Sequence, residues 1–258
     1  MKDANLKNKF LENGYIPFNI NCVDEEIISD SILILDDGSY FLGKSFGSKK
    51  TNIGEICFNT SMTGYQEIIT DPSYAGQIVT FTFPHIGNIG TNNLDNEGET
   101  KSIAGIVVRQ APTHPSNWRS KKKFNEWLEI NDIPGISGID TRMLTKIIRK
   151  YKSCNAIISY DERGKFNVEE LKKKLKKFPK MDGLNLSSLV TTNQTYNYKD
   201  LPHELISPII KISNKFVPRI VVIDFGVKMN ILRHLVNLNA EITVLSENAK
   251  IEDIIKID

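Results

Sequence analysis

Residues 219–257 read RIVVIDFGVKMNILRHLVNLNAEITVLSENAKIEDIIKI. Arg219–Asp224 is a run rich in β-branched residues, the sequence form of a buried strand. Phe225-Gly226 breaks it as a turn. Lys228–Asn239 then places Ile231, Leu232, Leu235 and Val236 on one face of a helix. Glu241–Leu245 is a second strand, and Lys250–Ile257 begins a second helix. Strand, helix, strand, helix at this spacing opens a parallel α/β sheet. Both strands carry near-continuous apolar runs, which suits strands covered on both faces. Two strands with their helices do not complete a doubly wound domain. The expectation is therefore an α/β chain overall, with 217–258 as the first strands and helices of an incomplete parallel α/β domain.

Upstream, the pattern changes to strand-rich. Residues 31–43 (SILILDDGSYFLG) form a hairpin signal, with the turn Asp36-Asp37-Gly38 between two apolar runs. Further strands are expected at Gly54–Thr60, Ile78–Phe83, Ala104–Arg109 and Ala156–Ser159. Helical spacing appears at Phe124, Trp127 and Leu128 within 120–129, and at Leu144, Ile147 and Ile148 within 141–150. Asp140 is placed to cap the second of these helices. Residues 31–160 are thus expected to be a mixed, β-rich α+β domain. Residues 161–216 are more polar and read as a connector: Val168–Phe178 is a short basic helix, and TTNQTYNYKDLPHE is loop-like.

Composition excludes several classes. The 258 residues are 40% hydrophobic and 25% charged, with a formal charge of +2. That is a globular composition with no push toward nucleic acid or anionic membrane. The apolar runs fall far below the about 20 residues a membrane helix needs. Residues 1–30 are polar, without the apolar core of a secretory signal, and read as a partly disordered cytosolic extension. Cys22, Cys57 and Cys154 are odd in number and scattered, which argues against a disulfide framework and fits a reducing, cytoplasmic setting. No cysteine pair has zinc-ligand spacing, and His85, His114, His203 and His234 are equally dispersed, so no metal site is expected.

The stretch Gly54–Gly90 (GEICFNTSMTGYQEIITDPSYAGQIVTFTFPHIGNIG) resembles the N-terminal domain of carbamoyl phosphate synthetase small subunits. The resemblance continues through Gly138–Leu144 (GIDTRML) and Ile223–Arg233 (IDFGVKMNILR), where such subunits begin a class I glutamine amidotransferase domain. It implies a glutamine-hydrolysing subunit. A cysteine thiolate attacks the glutamine amide, backbone N–H groups stabilise the oxyanion, and a glutamate-held histidine shuttles protons. Ammonia passes to a large subunit that uses ATP, magnesium and bicarbonate to make carbamoyl phosphate for arginine and pyrimidine synthesis. The implied assembly is a heterodimer with that large subunit, or a higher oligomer of heterodimers. No cofactor is expected in this chain.

Carried over residue by residue, the resemblance assigns contact with L-glutamine to Ser73, in the Thr70–Tyr74 segment (TDPSY). The residues alone support either a ligand contact or a serine that satisfies its own turn. The family's Gly-x-Cys-x-Gly-x-Gln string does not occur here, so the nucleophile, histidine and glutamate are expected beyond Asp258. Cys57, in Glu-Ile-Cys-Phe-Asn, reads as a small core residue. Asp224-Phe225-Gly226 resembles a kinase metal triplet but lacks its companion loops and reads as a turn. Gly87-Asn88-Ile89-Gly90 lacks the third glycine of a dinucleotide fingerprint. Lys121–Lys123 and Lys172–Lys177 read as solvated helix faces rather than a nucleic-acid patch, and His85 as an anchor of a turn at an interface. The competing reading of the whole is a non-catalytic module that only docks on the large subunit. The purified 258 residues are expected to release no ammonia from glutamine; steady ammonia production in a coupled assay would overturn the nucleophile's placement outside them.

Overall fold

The computed structural model describes residues 29–98, 103–151, 153–203, 208 and 217–257. Nearly all of the expected N-terminal extension, with Cys22, lies outside these residues, as do 204–207 and 209–216 of the expected connector. The hairpin forms as the sequence dictates. β1 (Ser31–Leu35) and β2 (Tyr40–Gly47) pair antiparallel, and Gly38 N–H donates to Leu35 O at 2.9 Å across the turn.

Five more strands close a barrel in the order β1-β2-β6-β5-β4-β3-β7. They are β3 (Asn52–Asn59), β4 (Gln77–Phe81), β5 (Gly105–Val107), β6 (Pro134–Ser137) and β7 (Asn155–Tyr160). The β3/β4, β4/β5 and β5/β6 pairs are parallel, whereas the pairs involving β1, β2 and β7 are antiparallel. Parallel neighbours need long crossovers. These carry α1 (Tyr65–Thr70) with a 3-10 turn (Pro72–Tyr74), the loops over 82–98, and α2 (Phe124–Ile130).

Alternation along each strand divides its side chains between clusters. Leu33, Leu35, Ile56, Ile78, Val107, Ile136 and Ile158 meet one another from six strands and are joined by Leu144, Ile147 and Ile148 of α3 (Thr141–Tyr151). That cluster fills the barrel, and burying each large apolar side chain contributes about 1.5–3 kcal/mol. Asp140 caps α3, accepting the Met143 N–H at 3.0 Å. On the other face, Val79, Phe81, Ile106 and Val108 pack with Tyr65 and Ile69 of α1 and with Phe124 and Leu128 of α2. A Cβ at Gly135 would lie 2.4 Å from Phe46 Cζ, so only glycine lets that ring lie across β6.

The polar connector is corrected in two places. Its basic helix, α4 (Val168–Lys177), buries Leu171 and Leu175 against Ile32, Ile34 and Ile157, so it is part of the barrel's shell. Within TTNQTYNYKDLPHE a short strand, β8 (Tyr196–Tyr198), pairs antiparallel with β10 (Glu241–Ser246). β10 in turn pairs parallel with β9 (Arg219–Asp224), giving the order β8-β10-β9. α6 (Met229–Asn237) covers one face through Leu232, packed with Ile242 and Val244. A four-residue helix, α5 (Ser187–Val190), precedes β8, and α7 (Ile251–Ile255) follows β10.

β9 is not the doubly buried strand its apolar run suggests. Only Asp224 in it is buried; Ile220 and Val222 pack partly buried with Leu232 of α6, and among the described residues β9 pairs with β10 alone. An uncovered edge opens more readily than a closed barrel. In hydrogen exchange, the amides of Val221 and Val222 on β9 should exchange far faster than those of Val79 and Val107 in the barrel. Equal protection would show that the three-stranded sheet has support beyond these contacts.

Candidate functional site at the seam between barrel and sheet

The Thr70–Tyr74 turn is built by its neighbours' carboxyl and hydroxyl groups. Thr70 Oγ1 donates back to Gln66 O at 2.9 Å, ending α1. Asp71 is extended, and its Oδ1 accepts the Ser73 N–H at 2.9 Å while its carbonyl accepts the Tyr74 N–H at 3.0 Å. Pro72 at the first position of the 3-10 turn presets the backbone angle. The turn is therefore satisfied by Asp71 and not by the Ser73 hydroxyl. Ser73 is exposed, and its hydroxyl makes no hydrogen bond among the described residues.

Against this turn comes the loop between β9 and α6. Asp224 is buried, with Oδ1 accepting the N–H groups of Gly226 (2.8 Å) and Val227 (2.9 Å), and Oδ2 accepting that of Thr192 (2.7 Å). Both carboxylate oxygens are committed to backbone, which bears out the turn reading of Asp224-Phe225-Gly226. Gly226 has φ +94°, and a Cβ there would lie 2.8 Å from Val190 Cγ2 and 3.1 Å from Pro72 Cβ. Glycine is needed both for the left-handed backbone and for this close approach. The loop thus touches the residue beside Ser73.

Three polar ties hold the seam. Lys228 Nζ lies 2.7 Å from Asp71 Oδ2. That hydrogen bond raises the lysine's proton affinity, outweighing the opposing effect of partial burial. A cation whose folded pKa is raised keeps its contribution below the ordinary lysine range and loses it only as pH rises beyond that range, so the tie is intact at neutral pH. The second tie is Glu97, from the loop after Asn92. Its carbonyl accepts the Met229 N–H (2.9 Å), and its carboxylate accepts the Asn230 N–H (3.0 Å) and Nδ2 (2.6 Å). Arg233, one turn along α6, donates to the carbonyls of Leu94 and Asn96 at 3.3 and 3.4 Å.

The remaining candidates separate from this seam. Cys57 on β3 is half-buried, donates to Gln77 Oε1 at 3.4 Å, and has its thiol pushed up to about 12 by burial and by Glu55. Cys154 is buried and likewise raised, mainly by burial. Neither has the environment of a nucleophile. His85 is exposed, with its ring edge-on to Phe83 at 6.0 Å. Among the described residues no group of three or more His, Cys, Asp or Glu converges, and no helix is long and apolar enough to cross a membrane. A cavity of about 630 Å³, lined by residues including Asn197, Arg219, Glu241 and Ile257, lies at the amino-terminal ends of β9 and β10. Ligands of open α/β sheets bind at the carboxyl ends of the strands, which is where Asp224 and the Ser73 turn meet. Sequence reasoning singled out Ser73 but missed Asp71, Glu97 and Lys228; Asp71, in an Asp-Pro-Ser turn signal, was the one with a local clue.

A barrel and a small mixed sheet sharing one polar seam, with a serine hydroxyl left open beside it, define a two-module α/β protein. Residues 33–158 match the family model described as "Carbamoyl-phosphate synthase small chain, CPSase domain". The similarity extends further. The chain is 41% identical over 222 residues to the carbamoyl phosphate synthase small chain of Zymomonas mobilis, covering 86% of this chain and 59% of that protein. It is 46% identical over 217 residues to the small chain of Buchnera aphidicola, covering 83% and 56%. With the small chain of Pyropia yezoensis the figures are 44% over 229 residues, 87% and 59%. The chain thus spans well under two thirds of the length of these relatives.

The thiol chemistry is directly testable. At pH 8 a thiol with a pKa about 12 is ionised in roughly one molecule in ten thousand. Iodoacetamide should therefore label Cys57 in the folded protein orders of magnitude more slowly than in guanidinium. Rapid labelling of native Cys57, read by peptide mass, would mean an open and activated thiol on β3.

Proposed function

We propose that this chain serves as the glutamine-handling small subunit of a carbamoyl phosphate synthetase, and that glutamine is held at the seam with Ser73 among its contacts. The observation that carries this reading is the open Ser73 hydroxyl, freed by Asp71, on a turn whose neighbouring Pro72 and Asp71 touch the loop after β9. A hydroxyl offers one donor and two acceptors, which suits the polar groups of an amino-acid amide. Similarity to proteins named carbamoyl phosphate synthase small chain supports the subunit identity, and the name implies a large-chain partner.

In this reading the residues of the chain bind and orient, and the covalent chemistry belongs to a cysteine elbow that its 258 residues do not contain. Asp71 fixes the backbone of the turn, Lys228 ties Asp71 to the sheet, and Asp224 with Gly226 shapes the facing wall. Glutamine amide hydrolysis then yields glutamate and ammonia. The ammonia is used by the large subunit, with ATP and magnesium, in making carbamoyl phosphate for arginine and pyrimidine synthesis. A cytoplasmic setting fits those pathways. The assembly is a heterodimer or an oligomer of heterodimers.

Ser73 supplies the test. In the glutamine-dependent holoenzyme, Ser73→Ala should raise KM for glutamine several-fold with little change in kcat, since one hydrogen bond to bound substrate is worth about 0.5–1.5 kcal/mol. Synthesis supported by free ammonia should be unaffected. An unchanged KM would return Ser73 to a surface turn without a ligand.

A further inference from the structure

We infer that Glu97 is the positioning residue that sets the distance between the Ser73 turn and the β9–α6 loop, and so controls glutamine affinity without touching glutamine. The inference rests on the reading of Ser73 as a glutamine contact. Glu97 is a buried carboxylate at 8% exposure, and everything it touches lies on one side or the other of the seam. On the barrel side, its backbone N–H donates to Thr70 Oγ1 at 2.8 Å. Thr70 is the residue that leads into Asp71, Pro72 and Ser73. On the sheet side, its carbonyl and both carboxylate oxygens take three donors from Met229 and Asn230.

Those donors include the first N–H groups of α6, which have no partner within the helix. Lys228, the residue at the N-cap, supplies no side-chain cap. The barrel therefore caps the sheet's helix: one anionic side chain accepts the Asn230 N–H near a helix N-terminus, where its charge is also favoured by the helix dipole. The β9–α6 loop is only Phe225 to Lys228, so whatever fixes the start of α6 fixes Gly226 against Pro72. The loop that carries Glu97 is itself braced. Asn92 Oδ1 accepts the Leu94 and Asp95 N–H groups at 2.8 and 3.1 Å, and Gln66 of α1 exchanges hydrogen bonds with the Asn92 backbone. Arg119 pairs with Asp95 from the far side of that loop. A brace of this kind moves the turn and the loop together.

Glu97→Gln keeps the shape but offers an amide where Asn230 presents two donors, so one bond is lost and two donors face each other. In the holoenzyme, E97Q should raise KM for glutamine several-fold, no further than Ser73→Ala does, while kcat and ammonia-supported synthesis stay near the unsubstituted values. Asn230→Ala, which removes the 2.6 Å bond and leaves the backbone N–H in place, should give a smaller rise in the same direction. It keeps the test available if E97Q folds poorly. The decisive comparison is E97Q combined with Ser73→Ala. If Glu97 acts by placing Ser73, the double substitution should raise KM little more than the larger single one. Fully additive rises, or an unchanged KM in both E97Q and Asn230→Ala beside a raised KM in Ser73→Ala, would overturn the role of Glu97 and leave Ser73 as a contact. An unchanged KM in Ser73→Ala would overturn the reading on which the inference rests, and the inference with it.

Discussion

A carboxylate that leaves water must replace its lost hydration with donors, and the seam between barrel and sheet is organised around three that do so. Asp71, Glu97 and Asp224 are all at least nine-tenths buried. Each takes a backbone N–H from a loop or the start of a helical turn that would otherwise have free donors: Ser73 for Asp71, Asn230 for Glu97, and Gly226, Val227 and Thr192 for Asp224. Charge-assisted bonds of this kind are stronger than neutral ones, and leaving a buried charge unpaired is costly. The loops are therefore held by the same groups whose burial demands them. Gly226 adds a close approach to Pro72 on one side and to Val190 on the other.

The barrel's topology explains why the Ser73 turn stands where it does. Three successive parallel pairings oblige the chain to cross over between β3, β4, β5 and β6, and each crossover is a loop or short helix outside the sheet. The first crossover holds α1 and the Ser73 turn, and the second holds Glu97. An antiparallel hairpin in the same position would have spent only a few residues on each connection and left no room for either. The antiparallel strands β1, β2 and β7 do the complementary work, closing the barrel so that the parallel set has no free edge.

How much of this the amino-acid sequence discloses depends on how local each cause is. β1, β4 and β7 are runs of β-branched and apolar residues, and α3 has both its period and its cap, so each is readable in place. β6 begins with Pro134 and is four residues long, and β8 is Tyr-Asn-Tyr in a polar stretch; both exist because a partner strand is waiting, which no local pattern reports. β9 misleads in the other direction: its apolar run promises two covered faces, and its place at the edge withholds them. Burial of α4 was legible only through Leu171 and Leu175 against a background of lysines. Ser73 came from the resemblance of TDPSY to a family segment, because a serine in an Asp-Pro turn has no chemical signature of its own. Glu97 left no trace, since a glutamate in an Asn- and Gly-rich loop is the ordinary composition of a solvated connection.

A site shared between two modules has a physical cost that a site within one module does not have. Its geometry depends on a relative placement as well as on side-chain rotamers, and each degree of freedom left at the seam is entropy that a bound ligand must remove. The three-stranded sheet cannot supply that placement by apolar packing, because its own edge and several of its large side chains, among them Phe225, Ile231 and Ile251, are exposed. Directional polar bonds are the remaining means, and they act at two points: the Asp71–Lys228 ion pair at the turn, and Glu97 against the start of α6. Both ties run from the closed barrel to the open sheet. The barrel therefore acts as the template on which the loop after β9 is held against the Ser73 turn, and in the proposed function the affinity for glutamine would be limited by how firmly that register is kept.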